Sequence, residues 1–410
     1  MPDTARINKD KASTSTTRRD TQRMARNRDT GKLLARAQQP WRVALLAPAL
    51  ELNGITIACL NLARTLTASG SKVALVSPGG ALREAALDSG SEWIELPAGR
   101  LGFFARRHLR EHLAAFDPEV LHAIAPDASR TAVWAADLLG RPLIVSVHGV
   151  KPGDTPAVGD SRYDAYIASD HAVREHLLNE CRLERDRTTL LPEFAMPGRA
   201  PVEREVMNPR KQPVVGFVSP LFADCGYRTF VDAAMRVMGR GVDCMFAILG
   251  DGPQASQVRD LVEERGMQQR MVIVQSMFDY GRIWEPFDVI VVDSRQPASA
   301  VMVLQAMAHG LPVVSTEGGA VFDVIKDGVD GLIVPRDNPD ALAERLLMLI
   351  QNPTERLRMA RACFQKVEEA YDVEFLAGAL GSIYAACTQH EPLPKNFDSL
   401  RGARQARKVS

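Results

Sequence analysis

From Trp41 onward, short apolar runs alternate with longer amphipathic stretches, and turn-forming residues separate them. Val43–Ala47 is an apolar run closed by Pro48, the pattern of a parallel strand buried on both faces. Asn53-Gly54 then opens a helical period carried by Ile57, Leu60, Leu62 and Leu66 up to Gly70. Lys72–Ser77 is a second strand, ended by Pro78-Gly79-Gly80. Strand, glycine-containing turn, helix, glycine, strand is the signature of a βαβ unit. The same rhythm predicts strands at Trp93–Leu96, Val120–Ala123, Leu143–Val147, Tyr166–Ala168 and Thr189–Leu191, with helices at Leu109–Phe116, Thr131–Leu139 and around Val173–Leu178.

Between Phe194 and Pro213 the pattern lapses into Pro, Arg and Glu, which reads as a linker. A second series follows, with strands at Val214–Val218, Met245–Leu249, Val272–Val274, Val289–Val292, Pro312–Ser315 and Gly331–Val334. Its helices are expected at Phe230–Met238, Val258–Arg265, Val301–Ala308 and Ala341–Ile350. Two such series predict an α/β protein of two Rossmann-like, doubly wound domains facing across a cleft, with ligands beyond the carboxyl ends of the strands. The expected division is a basic leader at 1–40, an N-terminal domain at 41–200 and a C-terminal domain at 201–370. A helix at 371–389 returns to the first domain, and a basic tail occupies 390–410.

A chain of 410 residues with 46% hydrophobic and 24% charged residues has room for two cores and excludes fibrous, disordered and disulfide-dense classes. The formal charge is zero, but the leader carries a net +6 and the last twenty residues +3, leaving an acidic body. Such a body lacks the basic face of a nucleic-acid binder, so no nucleic acid is expected and the tails read as solvated disorder. Six scattered cysteines without a CxxC pair fit reduced thiols. With neither an apolar run long enough to span a bilayer nor a secretory h-region, the expected location is cytoplasmic.

The chemistry concentrates in ordered motifs of the second half. Gly250-Asp251-Gly252-Pro253 follows a strand, Gln305–Val314 reads QAMAHGLPVV, and Lys326–Pro335 reads KDGVDGLIVP ahead of Pro339-Asp340-Ala341-Leu342-Ala343. In the first half, Gly54 with Leu60–Gly70 and Val145–Gly149 complete the set. From about Trp41 to Gln389 the chain resembles the GT-B glycosyltransferases of family 4. Their corresponding stretches read GDGP, EGFGLxLLEAMAxGLPVVAT, xDGxxGLLVP and VTVHG. The resemblance implies sugar transfer from a nucleotide-diphosphate donor to a glycan or lipid-linked acceptor, with retention of configuration and no metal or other cofactor. It also implies roles residue by residue: His148 near the transferred sugar, and Gly54, Gly252, Val301, Met302, Gln305 and Gly319 around the donor.

The chain departs from the family pattern where charge matters. Against the family's VGRLxxxKG, Pro220 stands at the arginine and Cys225 at the lysine that bind phosphate, with Asp224 adding a negative charge. In the E-x7-E pair, Pro297 and Gln305 replace the glutamates, and Ala298 and Ala300 replace the glycines between them. Losing a transition-state donor costs on the order of 10²–10³ in rate. The sequence therefore carries an alternative reading, a catalytically silent subunit that binds a partner glycosyltransferase or a sugar. Arg228, Arg282, Arg295 and Lys326 lie near the strand ends and are candidates to replace the missing cations. A family of this kind meets lipid-linked acceptors, so peripheral contact with the inner face of a membrane through the basic tails is a further expectation. His108-Leu109-Arg110-Glu111-His112 matches a zinc-hydrolase pattern, but without an evident third ligand it reads as a charged helix face. No P-loop or nucleophile elbow is present in the sequence.

Overall fold

A computed structural model describes residues 35–97, 102–150, 162–198, 200–201, 212–274 and 282–394. Most of the basic leader and tail, and much of the linker, lie outside these described residues. The chain forms two lobes, each built on one wholly parallel sheet. The N-terminal sheet has the order β3-β2-β1-β4-β5-β6-β7, with β1 Arg42–Leu46, β2 Lys72–Pro78, β3 Glu92–Leu96, β4 Val120–Ala123, β5 Leu143–Val147, β6 Ala165–Ala168 and β7 Thr188–Leu190. The C-terminal sheet runs β10-β9-β8-β11-β12-β13, with β8 Val214–Val218, β9 Met245–Leu249, β10 Met271–Val274, β11 Val289–Val292, β12 Val313–Thr316 and β13 Leu332–Val334. Thirteen short apolar runs thus became thirteen strands. Helices cover both sheet faces, and that forces their side chains to be apolar on both sides.

The N-terminal helices are α1 Gly54–Ala68, α2 Arg83–Leu87, α3 Phe103–Phe116, α4 Ser129–Leu139 and α5 His171–Asn179. Those of the C-terminal lobe are α6 Tyr227–Gly239, α7 Ala255–Glu264, α8 Ser299–Ala308, α9 Val321–Val324, α10 Pro339–Gln351, α11 Pro353–Ala370 and α12 Val373–Gln389. Side-chain caps mark several starts: Asn53 accepts from the Thr56 amide, Asp170 from Val173 and Asp372 from Phe375, each satisfying an orphan N–H of a first turn. Among the described residues no helix is long and apolar enough to cross a membrane.

Strand order reverses between β1 and β4 in one sheet and between β8 and β11 in the other, and those switch points face each other. Every residue of α8 is buried, because one side packs on α1 of the opposite lobe and another on α11. A single apolar cluster consequently runs from Leu45, Ile57 and Leu60 through Val301 and Leu304 into Val215 and Phe217. Helix α12 leaves the second lobe and packs on the first, where the buried Tyr384 hydroxyl meets His122 at 2.9 Å. The Gly381 Cα lies so close to the Ala37 carbonyl that an added Cβ would stand 2.2 Å from its oxygen.

Candidate functional site

The two switch points meet along a seam formed by α1 and α8. At its open end, the start of α1 presses on the loop before α8: a Cβ on Gly54 would stand 2.4 Å from the Ala298 oxygen. The Ala298 amide donates to the His148 carbonyl at 3.1 Å, joining the ends of β5 and β11. Ala298 has φ 56°, the left-handed region in which an L-residue is strained by about 1 kcal/mol. The family pattern has glycine there, so the chain has kept the backbone bend while filling its space with a methyl group.

Gln305, expected at the donor, lies deeper in the seam and is almost fully buried. Its Oε1 accepts from Asn61 Nδ2 at 3.1 Å and from the Met196 amide at 3.0 Å, while Nε2 donates to the Met196 carbonyl at 3.1 Å. Asn61 Nδ2 also donates to the Phe194 carbonyl at 2.9 Å. The amide of Gln305 therefore ties α8 to α1 and to the segment after β7 that holds Met196. Val301 and Met302 are buried on the same helix.

His148 ends β5 with its ring almost wholly buried and both nitrogens facing acceptors. Nδ1 donates to Glu193 at 2.5 Å and Nε2 to the Ile124 carbonyl at 2.7 Å. Burial alone would lower its pKa, but the Glu193 carboxylate, by charge and hydrogen bond, together with the Ile124 carbonyl and Asp170, turns the net shift upward. The protein-made cage thus favours the protonated form of the ring. Its neighbour His122 bonds Tyr384 and Ser146, and burial and then the His148 charge push its pKa down to about 3, so it is neutral. Both rings line a cavity of about 30 Å³, room for a water or two.

This pair yields a test. The folded pKa of His148 is raised, so its contribution to stability is complete below the unfolded value of about 6.5 and fades as pH rises through the folded value. Glu193→Gln removes the counter-charge, leaving burial to depress the ring's pKa, and the contribution then fades as pH falls. Denaturation midpoints of the two proteins between pH 5 and 8.5 are expected to diverge with opposite slopes, and the His148 ring proton to titrate below 6.5 only in the variant. Parallel pH profiles would remove the charge pair.

The side on which the resemblance places the phosphates is built from the ends of β8, β9, β11 and β12. Cys225 is buried, and burial pushes its thiol pKa up, so it replaces the expected lysine with an inert group. Gly252 has φ 149° and packs on the backbone of the preceding loop, where a Cβ would stand 2.6 Å from the Leu221 oxygen. That glycine is required by loop-on-loop packing.

Gly226, the residue after Cys225, is approached by the Asp293 carboxylate and, next to it, by Arg295. A Cβ on Gly226 would stand 2.7 Å from Nη2 of Arg295. Its guanidinium is held by Asp293 at 2.6 Å and by Asp337 at 3.0 Å, which raise its pKa further and offset its charge. Arg336 crosses Gly318 to the Glu317 carbonyl at 2.7 Å and Ser294 Oγ at 3.3 Å, while among the described residues no atom crowds the space above Gly319. Of the other expected cations, Arg228 lies over the Tyr227 ring and Arg282 pairs with Glu285. Lys326 is exposed beyond α9. Asp293, Glu193, Asn61 and Arg336 were not legible as site residues, because their roles depend on partners far away in sequence. The His108/His112 pattern falls on the exposed face of α3, and no group of His, Cys, Asp or Glu among the described residues could hold a metal.

Comparison with known proteins agrees with this geometry. Residues 52–195 match the family model described as Glycosyltransferase Family 4, and residues 212–352 match Glycosyl transferases group 1; together they span more than half of the chain. The chain is 25% identical to the alpha-D-kanosaminyltransferase of Streptomyces kanamyceticus over 68% of its own length and 79% of that protein's. It is 23% identical to the D-inositol 3-phosphate glycosyltransferase of Xylanimonas cellulosilytica, over 83% and 94%. Among solved structures, Anabaena Alr3699/HepE in complex with UDP and glucose superposes with a TM-score of 0.69 at 15% identity, covering 83% of this chain and 98% of that one. WaaG, a glycosyltransferase involved in lipopolysaccharide biosynthesis, gives 0.64 at 15% identity, covering 83% and 99%.

Proposed function

This chain belongs to the GT-B glycosyltransferases of the family-4 type, and on that premise we propose that it transfers a sugar from a nucleoside diphosphate donor. The donor is held by the C-terminal lobe, and the acceptor, a glycan or a lipid-linked glycan, by the N-terminal lobe. The observation that carries this reading is Arg295 beside Gly226, a cation held by Asp293 next to the position where the family's lysine is missing.

The chemistry asked of this wall is stabilisation of charge on a departing diphosphate. Arg295 supplies one cation, and Asp293 fixes its direction as it reduces its net charge. The N-terminus of α8 aims its partial positive charge at the same region, and the uncrowded Gly319 leaves space for phosphate oxygens. None of these groups calls for a metal, and transfer proceeds with retention as in the family pattern. Its place is polysaccharide or glycoconjugate assembly.

A second reading draws on the seam. Ala298 bonds His148, Gly54 abuts Ala298, and Gln305 is engaged by Asn61 and Met196, so groups meant for a donor instead join the lobes. On this reading the chain is a silent subunit that binds a sugar or a partner transferase.

The experiment is a panel of UDP-, GDP- and ADP-sugars in a thermal shift assay, followed by detection of released nucleotide. A donor at 100 times its dissociation constant adds about 2.7 kcal/mol of stability. A shift with nucleotide release supports the transferase, and the shift should shrink in Arg295→Lys, which keeps the charge but loses the fork. No shift with any donor supports the silent subunit.

A further inference from the structure

The lobes enclose a second cavity, of about 150 Å³, that neither Gly54 nor Ala298 lines. The N-terminal lobe contributes Asp170 from the end of β6 and Glu193 from beyond β7. The C-terminal lobe contributes Ala300 and Leu304 of α8 and Asp323 of α9, and Tyr371, between α11 and α12, also lines the space. The cavity therefore touches both places where the chain passes from one lobe to the other. Small molecules bind preferentially at such junctions.

Its charged wall is negative. Asp170, Glu193 and Asp323 line it, and among the described residues no lysine or arginine does. The Asp170 carboxyl titrates above its usual range, chiefly because it is buried. The Asp323 and Glu193 charges push it further up, and together these outweigh its bonds from Val173 and Ser169. His171, exposed at the start of α5, meets Asp323 across the lobes: its amide donates to Oδ2 at 2.9 Å and its Nδ1 at 3.2 Å. Oδ1 of Asp323 takes no bond among the described residues.

Glu193 separates this cavity from an acidic patch on a surface. Its side chain is 6% exposed. Oε1 accepts the proton of His148 Nδ1 at 2.5 Å, whereas Oε2 has no hydrogen-bond partner among the described residues. A buried carboxylate oxygen left without a donor is costly, so the cavity calls for a group that brings N–H bonds and positive charge. A metal ion does not fit, because no His, Cys, Asp or Glu among the described residues converge as one requires. An organic cation suits both halves of the wall, with N–H groups towards the carboxylates and carbon against Ala300 and Leu304.

We propose that this cavity binds a small organic cation, a primary ammonium on a carbon skeleton, recognised by the free oxygens of Glu193 and Asp323 and by the charge of Asp170. A space of this volume accepts a benzene-sized group, so the buried part has about six heavy atoms. Bound there, the cation touches both lobes and stabilises the arrangement in which they meet. The site needs no sugar donor and stands whether or not the chain transfers a sugar.

The test uses the full chain without nucleotide and three probes of similar shape, cyclopentylammonium, cyclopentanol and cyclopentanecarboxylate. Binding is read by ligand-detected NMR and by melting temperature at constant ionic strength. Cyclopentylammonium is expected to bind in the millimolar range and to raise the melting temperature. Cyclopentanol should bind at least about tenfold more weakly, since it lacks a charge-assisted bond. The carboxylate should not bind. Asp170→Asn and Asp323→Asn should each weaken the ammonium about tenfold. Asparagine keeps the oxygen that accepts the Val173 or His171 amide, so both variants should fold. Ala320→Leu, on the same wall, should abolish binding with every carboxylate in place. No binding at tens of millimolar would overturn the proposal and leave the cavity to water. Equal binding of the alcohol would overturn it in favour of an apolar pocket. Unchanged affinity in all three variants would place the amine elsewhere on the chain, and displacement by millimolar calcium would make the cluster a metal site instead. Any of these failures would leave the donor panel untouched, so the two readings fall separately.

Discussion

Gln305→Glu is expected to destabilise the protein by about 3 kcal/mol at neutral pH and by much less near pH 4. One carboxylate oxygen can keep the bonds from Asn61 and Met196, but the other replaces a donor and faces the Met196 carbonyl at 3.1 Å. A buried acceptor pair with no proton between its members carries the desolvation penalty of both groups, roughly 1–3 kcal/mol each. Protonation restores the missing donor, so burial and the carbonyl raise the new carboxyl's pKa above its unfolded value of about 4.3. The sign follows from that. The variant is close to the parent below the unfolded pKa, and its deficit grows as pH rises until the folded pKa is passed. Urea titrations at pH 4 and pH 7 measure this directly, and equal midpoints for both proteins at both pH values would remove Gln305 from the seam. A glutamate that instead tightens nucleotide binding without destabilising the chain would return Gln305 to the donor pocket.

Gln305 also shows where sequence reasoning stops. Strands were legible because both faces of a parallel sheet are covered, so each core strand is a short apolar run that no solvent-facing residue interrupts; Leu143–Val147 and Val289–Val292 are examples. The donor-side roles rested on spacing within one segment, and spacing cannot report a partner 244 residues away, which is the separation of Asn61 from Gln305. Glu193 was invisible for the same reason, since nothing around it in the chain signals that the His148 ring will close on it. Helix α11, of eighteen residues, is not among the helices that the hydrophobic pattern predicts. It buries a stripe through Met359, Cys363 and Val367 while carrying many charges, and its start is marked by Asn352 and Pro353. A narrow apolar stripe with a cap and an N1 proline is a readable helix signal.

Gly54→Ala is expected to force the lobes apart at the mouth of the seam. The new methyl would lie 2.4 Å from the Ala298 oxygen and 2.8 Å from its carbonyl carbon, backbone atoms that no rotamer change can move aside. Relief requires a shift of roughly 1 Å, which breaks the bond from the Ala298 amide to the His148 carbonyl. Overpacking of this kind costs about 1–3 kcal/mol, and the lost buried bond adds to it. The melting temperature should fall, and Ala298→Gly in the same chain should not restore it, because the nearest clash is with the oxygen and not with the Ala298 methyl. The two functional readings then separate. If a donor enters this seam, the parent must open before binding, so a chain already held ajar binds UDP more tightly. Turnover of the sugar nucleotide falls about a hundredfold or more in that variant, because the methyl stands in the sugar's space. In a silent subunit, neither protein binds nucleotide and only the melting temperature changes. A variant as stable as the parent would mean that the close approach of Gly54 and Ala298 is absent in solution, and with it the closed seam on which the second reading depends.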